Sequence, residues 1–122
     1  MSQRYAVIGL GQFGRAIATA LASTGAEVVA IDNNPQHVDQ LKDDVALAVC
    51  MDATDRKALI AHGLHELDAV VLAIGKDFES LLLCAAHLLE MNCKRIITRC
   101  HGKHQRMILE RLGVSEILTP ED

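Results

Sequence analysis

The sequence Val7-Ile8-Gly9-Leu10-Gly11-Gln12-Phe13-Gly14 decides the fold, because three glycines follow an apolar run at the spacing G-x-G-x-x-G. Gly9 permits a tight turn, Gly11 removes the Cβ that would contact phosphates, and Gly14 lets the next helix pack closely on the strand. The N-terminus of that helix presents unpaired N–H groups and a positive dipole end to an anion. The stretch therefore predicts a dinucleotide-binding turn between a strand and a helix.

The flanking residues support this prediction. Tyr5–Ile8 is a short apolar run typical of a strand, and apolar residues at helical spacing follow the glycines until Gly25. Glu27–Ile31 predicts a second strand, which leads into Asp32. An acidic residue about 20 positions after the glycines is expected to accept hydrogen bonds from ribose hydroxyls and to repel a 2′-phosphate. The alternative is that Asp32 is only a turn residue before Asn33-Asn34-Pro35.

Strands and helices alternate along the rest of the chain. We predict helices over 35–42, 56–61, 78–91 and 103–112, and strands over 45–49, 68–74, 95–99 and 116–118. Single helices between strands give right-handed parallel crossovers. With the glycine turn after the first strand, this order predicts an α/β Rossmann fold, a doubly wound parallel sheet of six strands in the order 3-2-1-4-5-6.

Ligands of such sheets bind at the carboxyl ends of the strands, beside the switch point between strands 1 and 4. The rule nominates one loop after each of the first five strands. These loops are Gly9–Gly14, Asp32–Asn34, Met51–Thr54, Ile74–Lys76 and Arg99–His101.

Composition narrows the class of protein. A length of 122 residues predicts one domain, and 50% apolar residues suffice for one core. The net charge of −4 and the aromatic content of 2% argue against a general attraction to nucleic acid and against base-stacking surfaces. No apolar run is long enough to span a bilayer, and the first residues lead directly into a strand, so we expect a cytoplasmic protein.

The cysteines and histidines predict no chemistry of their own. The cysteines form no C-x-x-C pair and lie in or beside apolar segments, which predicts buried, reduced thiols. They are Cys50, Cys84, Cys93 and Cys100. Two pairs of histidines have a three-residue spacing, namely His62 with His65 and His101 with His104. No neighbouring cysteine or carboxylate completes a tetrahedral set, so we expect no metal site from the histidines.

Over essentially its whole length the chain resembles the N-terminal lobe of an RCK domain, also called KTN or TrkA-N, a family that regulates potassium channels and transporters. The segments that carry the resemblance are Ala6–Gly14, Val29–Asp32, Asp52-Ala53-Thr54 with the acidic residue after it, Val70–Gly75, and Leu112-Gly113-Val114 with Thr119-Pro120-Glu121. Within the family it is most similar to the Ktr/Trk-type subunits that lie beneath a potassium-translocating membrane protein. The resemblance thus implies a cytoplasmic protein, peripheral to the inner membrane through that partner.

The resemblance also implies a site. Family members bind ATP, ADP, NAD+ or NADH in this pocket, with the ribose at the acidic residue matching Asp32 and the adenine edge near Asp52 and Ala53. A basic residue matching Arg99 faces the phosphates, and a glutamate matching Glu121 lies near the phosphates or a bound cation in some members. The expected cofactor-binding residues are Gly9, Leu10, Gly11, Gln12, Phe13, Gly14, Asp32, Asn33, Asn34, Asp52, Ala53, Thr54, Ile74, Gly75, Lys76, Arg99 and Glu121.

Gln12 bears on the choice of nucleotide. Some ATP-responsive members carry Arg at this position, where the guanidinium can meet the γ-phosphate of a neighbour's ATP with full charge. Gln12 donates only neutral hydrogen bonds, which favours NAD(H) over an ATP/ADP switch. In full-length members a crossover helix and a C-terminal lobe follow the Pro-Glu, so residues 1–122 are expected to form a single N-terminal lobe.

These features predict a regulatory subunit that senses a nucleotide without turnover and controls potassium transport through a membrane partner. By resemblance, the bound nucleotide changes how lobes pack in a dimer or an octameric ring. An alternative is the cofactor domain of an NAD-dependent oxidoreductase or epimerase, which would need a separate catalytic domain. A further alternative is a scaffold in which a nucleotide only holds the fold together.

Overall fold

Strands and helices alternate throughout residues 2–119, which are the residues that the computed structural model describes. The elements are β1 (Arg4–Ile8), α1 (Gln12–Ser23), β2 (Glu27–Asp32), α2 (Pro35–Leu41), β3 (Leu47–Cys50), α3 (Arg56–Ala61), a 3₁₀ turn (Leu64–Glu66), β4 (Ala69–Leu72), α4 (Phe78–Glu90), β5 (Ile96–Arg99), α5 (Gly102–Leu112) and β6 (Glu116–Leu118).

The six strands form one parallel sheet in the order β3-β2-β1-β4-β5-β6. Ile8 at the end of β1 lies opposite Ile31 on one side and Leu72 on the other, so the direction of winding reverses on either side of β1. The chain therefore has the α/β Rossmann fold, and the predicted strand order is confirmed.

The core occupies both faces of the sheet. All four residues of β4 are buried, as predicted for a central strand covered on both faces. On one face Leu59, Leu81 and Leu88 pack together, and a second cluster on the other face includes Leu10 and Leu41. Among the helices of residues 2–119, none combines the length and the apolar character that a bilayer crossing requires.

Several element boundaries differ from prediction. β3 begins at Leu47 rather than at residue 45, because the chain still turns after α2, where the N–H of Asp44 donates to the carbonyl of Leu41. β4 ends at Leu72 rather than at residue 74, and the last link of this segment to β1 is the bond from the N–H of Ala73 to the carbonyl of Ile8. The 3₁₀ turn was not predicted; it starts after Gly63, whose φ of +67° suits glycine.

The prediction of buried thiols is wrong for one cysteine. Cys84 and Cys100 are buried and Cys93 is partly buried, but Cys50 is exposed at the end of β3. Burial raises the pKa of Cys84 to about 12. Cys50 is exposed because β3 is the edge strand of the sheet, where the apolar sequence around it is covered only in part.

Candidate functional site

A cavity of about 690 Å³ opens at the carboxyl ends of the strands, at the point where the winding reverses. It brings together the five loops that the sequence nominated. The predicted residues that line it are Gly9, Leu10, Gly11, Gln12, Phe13, Asp32, Asn33, Asp52, Ala53, Thr54, Ile74, Gly75, Lys76 and Arg99.

The glycine turn has the geometry that its spacing predicts. Gly9 has a φ of +96°, and a Cβ there would lie 2.8 Å from the backbone of Ala73. A Cβ on Gly14 would overlap the carbonyl oxygen of Gly9. By contrast, a Cβ on Gly11 would meet nothing within 4 Å. Gly9 and Gly14 are therefore required by the packing, whereas the packing places no such demand on Gly11, which faces the cavity.

Asp32 is held against the glycine turn. Its Oδ2 accepts a hydrogen bond from the backbone N–H of Leu10 at 2.6 Å, and its Oδ1 accepts one from the N–H of Asn34 at 2.8 Å. Only 12% of the side chain is exposed. The Nδ1 of His37 lies 3.3 Å from the same Oδ2. The carboxylate is thus fixed in orientation, and it borders the cavity beside the turn.

The loop after β3 forms the adjoining wall. The Oδ1 of Asp52 accepts hydrogen bonds from the hydroxyl of Thr54 at 2.7 Å and from its N–H at 2.9 Å. These bonds, the hydroxyl first, hold the pKa of Asp52 below its usual value. Nε2 of His87 on α4 lies 3.0 Å from the carbonyl oxygen of Thr54; because a carbonyl only accepts, this nitrogen carries the proton. The hydrogen bonds within this loop, and the one from His87, thus fix the loop and connect it to α4.

Groups that attract anions also border the cavity. Gly11 precedes α1 with no side-chain cap, so the first N–H groups of this helix are directed to the cavity. The guanidinium of Arg99 lies over the ring of Phe13, with its carbon 4.4 Å from the ring centre. Lys76 is exposed at the rim. A helix N-terminus with two cations suits the phosphates of a nucleotide whose ribose reaches Asp32.

Two predicted residues are placed differently, and a third is not described. Asn34 does not line the cavity; its side chain caps α2 by accepting from the N–H of Gln36. Gly14 lies beneath the turn, where it permits close packing. Glu121 lies outside the described residues.

Sequence reasoning missed some of the lining. Those residues are Ile8, His37, Met51, Ala73, Asp77, Ser80 and His101. Met51 and His101 lie in loops that the strand-end rule had nominated. His37 carried a weaker signal: it follows Asp32 by five residues, so the first turn of α2 returns it to the end of β2.

Nothing in the described part of the chain gathers three or more His, Cys, Asp or Glu side chains in a way that could hold a metal ion. His62 and His65 lie before and within the 3₁₀ turn, and His101 and His104 lie at the start of α5. The site is therefore described by its polar and charged groups alone.

Comparison with known proteins places these features in a family. The family model of the TrkA-N domain matches residues 5–120. Over 121 residues the chain is 33% identical to the Ktr system potassium uptake protein C of Bacillus subtilis, covering 99% of this chain and 55% of that protein. It is 31% identical over 120 residues to the Ktr system potassium uptake protein A of the same organism, covering 98% and 54%. The chain thus spans about half the length of these curated relatives.

Solved structures agree on the fold. The NAD(P)-binding domain of an exopolyphosphatase-related protein from Archaeoglobus fulgidus is 25% identical, with a TM-score of 0.85 over 95% of this chain and 86% of that one. The TrkA-N domain of the inner membrane protein YbaL from Escherichia coli is 19% identical, with a TM-score of 0.87 over 99% and 90%. The GsuK channel bound to NAD has a TM-score of 0.81 at 13% identity, covering 98% of this chain and 22% of that one.

Proposed function

The chain belongs to the TrkA-N domain family, and we propose that it is a nucleotide-binding regulatory domain of a potassium uptake system. The observation that carries the proposal is the position of Asp32. Its carboxylate is fixed by the N–H of Leu10 and of Asn34, beside the open space in front of Gly11. A carboxylate held in a fixed orientation beside open space at the glycine turn suits an adenosine ligand.

Each part of the cavity has a role in this proposal. The ribose hydroxyls donate to Asp32, with Asn33 beside them. The adenine lies against the loop of Asp52, Ala53 and Thr54. The phosphates lie on Gly11 and the start of α1, and Lys76 and Arg99 provide positive charge.

We assign the ligand to the class of NAD(H) or ADP/ATP. Support comes from the GsuK channel, of which structures bound to NAD and to ADP share this fold. Gln12 is the first residue of α1 and is exposed at the phosphate end. Its neutral amide gives a triphosphate no added charge, which favours NAD(H).

The regulatory part of the proposal rests on the relatives, which are named as potassium uptake proteins. In this reading the domain acts at the cytoplasmic face of a potassium-translocating membrane protein. We infer that the chain corresponds to a single N-terminal lobe, since it spans about half the length of these relatives. The nucleotide is not turned over; it acts by binding two arrangements of the assembly with different affinity.

Self-association is part of the same proposal. The outward sides of α4 and α5 expose Leu83 (46%), Ile108 (41%) and Leu112 (39%). Together with Leu82 and Ala86 they line a shallow apolar groove. A second copy of the chain is the occupant we assign to this face, as a dimer or as part of an octameric ring.

Calorimetric titration with NADH, NAD+, ADP and ATP tests the proposal. We expect at least one of them to bind with a Kd well below about 1 mM, and the same nucleotide to change the sedimentation or the membrane-partner affinity of the assembly. Binding of none of the four below this concentration would exclude a nucleotide-sensing role. Conversion of NADH to NAD+ with a small reducible substrate, or of NAD+ to NADH with a small oxidisable one, would instead support the oxidoreductase alternative.

A further inference from the structure

His37 is an ionisable side chain in contact with the carboxylate of Asp32, which is expected to bind the ribose hydroxyls. Its Nδ1 lies 3.3 Å from Oδ2 of Asp32, and the ring borders the cavity. The side chain is 39% exposed, compared with 12% for Asp32. The imidazole therefore contacts the carboxylate through Nδ1, and the rest of the ring is accessible to a ligand whose ribose lies at Asp32.

The charge at this corner depends on the imidazole. With a neutral His37, Asp32 presents a net negative charge, which repels a 2′-phosphate. With a protonated His37 the pair is neutral as a whole, and the imidazolium donates charge-assisted hydrogen bonds to a phosphate oxygen. Asp32 keeps its hydrogen bonds to Leu10 and Asn34 in both cases, so the ribose acceptor stays in place.

We propose that His37 is a specificity-determining residue that contacts the ligand at the ribose 2′ position and, as the cation, admits a 2′-phosphate beside Asp32. The inference rests on the proposed function, because it assumes an adenosine ligand with its ribose at Asp32. It adds a second class of ligand, the 2′-phosphorylated adenosine nucleotides, which Asp32 alone would exclude.

Other ionisable groups around His37 have separate partners or positions. Asp32 ends β2, and the Cys50 thiol ends β3, where it donates to the carbonyl of Asn33. Arg15 of α1 reaches α2 through Gln40, at 2.6 Å. On α2 itself, Asp39 pairs with Lys42. Among residues 2–119, Asp32 is the titratable group that lies at hydrogen-bond distance from the imidazole.

Two ligands that differ only at the 2′ position isolate the effect. Binding of adenosine 2′,5′-bisphosphate and of 5′-AMP is measured by calorimetry at about pH 6 and about pH 8, a range in which an imidazole changes its charge. For the unmodified chain we expect the affinity ratio of bisphosphate to 5′-AMP to rise by about threefold to tenfold on going to the lower pH.

Two variants separate His37 from the titration of the 2′-phosphate itself. Gln at position 37 cannot take a proton. In His37→Gln the affinity ratio of bisphosphate to 5′-AMP should therefore be lower at about pH 6 than in the unmodified chain, and its pH dependence should reflect only the ionisation of the ligand. In His37→Arg the ratio should be raised at both pH values. His104→Gln, an exposed histidine of α5 that does not line the cavity, is the control and should match the unmodified chain.

The outcomes distinguish this inference from the function on which it rests. A ratio with the same pH dependence in His37→Gln as in the unmodified chain overturns the role of His37 while leaving the adenosine site intact. If His37→Arg does not raise the affinity ratio, the role of His37 is likewise overturned while the adenosine site remains. Failure of 5′-AMP, NADH, NAD+, ADP and ATP alike to bind the unmodified chain overturns the proposed function and this inference together.

Discussion

The carboxylate of Asp32 and the backbone N–H of Leu10 form a hydrogen bond of 2.6 Å that ties the end of β2 to the glycine turn after β1. From the sequence, Asp32 was expected to be a ligand for ribose, with a turn residue before Asn33-Asn34-Pro35 as the alternative. The bond shows that Asp32 also fixes the glycine turn, so its removal should affect the fold as well as the site.

We expect Asp32→Ala to weaken the binding of any adenosine ligand by about 1–3 kcal/mol, through the loss of charged hydrogen bonds. The free energy of unfolding should fall by a similar amount, since the N–H groups of Leu10 and Asn34 lose their acceptor. Calorimetry and chemical denaturation measure the two quantities. Asp68→Ala is the matched control: Asp68 accepts from the N–H of Arg4 at 2.8 Å, at the amino-terminal ends of β1 and β4, away from the cavity. It should leave affinity unchanged; equal affinity of Asp32→Ala and the unmodified chain would place the ribose elsewhere.

Gly11→Val should abolish nucleotide binding in a folded protein. A Cβ at Gly11 meets nothing within 4 Å, and its φ of −70° suits any residue, so we expect a cost of about 1 kcal/mol or less in unfolding free energy. The branched side chain would occupy the space in front of α1. Gly14→Ala gives the contrast, because its Cβ would overlap the carbonyl of Gly9 and should destabilise the fold by about 3 kcal/mol or more. Normal nucleotide binding by Gly11→Val would show that the phosphates do not lie in front of Gly11.

Gln12→Arg should raise the affinity for ATP relative to that for NAD+. The added cation stands at the first residue of α1, where the outer phosphates are expected. Competition between the two nucleotides measures the ratio. Gln3→Arg is the control for added charge, because Gln3 is exposed just before the amino-terminal end of β1. An unchanged ratio would show that Gln12 is not near the outer phosphates.

The Thr54 hydroxyl should control the ionisation of Asp52. Because that hydroxyl is the main cause of the lowered pKa of Asp52, Thr54→Val should raise this pKa toward its ordinary value, although the N–H bond remains. Because these bonds favour the charged carboxylate, they stabilise the folded chain near neutral pH. This stabilisation is lost as the pH falls through the pKa of Asp52. Carboxyl NMR titration gives the pKa directly. Ser80→Ala, which removes the equivalent bond to Asp77, should leave Asp52 unchanged; a shift of Asp52 in that variant instead would refute the assignment.

Leu83→Asp should weaken self-association. The residue is exposed on α4 in the apolar groove beside α5, where a second copy would bury it. Sedimentation at increasing protein concentration measures the effect. Ile60→Asp is matched in exposure, at 44% against 46%, but lies on α3 outside the groove, and should change little. Equal effects of the two substitutions would show that the groove is not the interface.

The strand order and the position of the cavity were predictable from local patterns. Hydrophobic periodicity shows that strands and helices alternate, and the glycine turn after the first strand is typical of this sheet order. Asn34 shows where local signals end. An asparagine before a proline suits a helix cap as well as a ribose neighbour, and only the position of Gln36 reveals that the side chain caps α2. His37 could not be placed either, since its contact with Asp32 depends on the angle at which α2 leaves β2. The exposure of Cys50 was within reach of the sequence, because the predicted strand order already places β3 at the edge of the sheet.

The contact between Gly14 and the carbonyl of Gly9 has a consequence for signalling. A turn packed this closely is ordered when the chain folds, so a nucleotide meets a surface already in its final shape and little conformational entropy is lost at that surface on binding. Under the proposed function, a turn of fixed shape would change little from one nucleotide to another. We therefore expect differences between bound nucleotides to act on the exposed loop of Gly75 and Lys76, which lines the cavity before the start of α4.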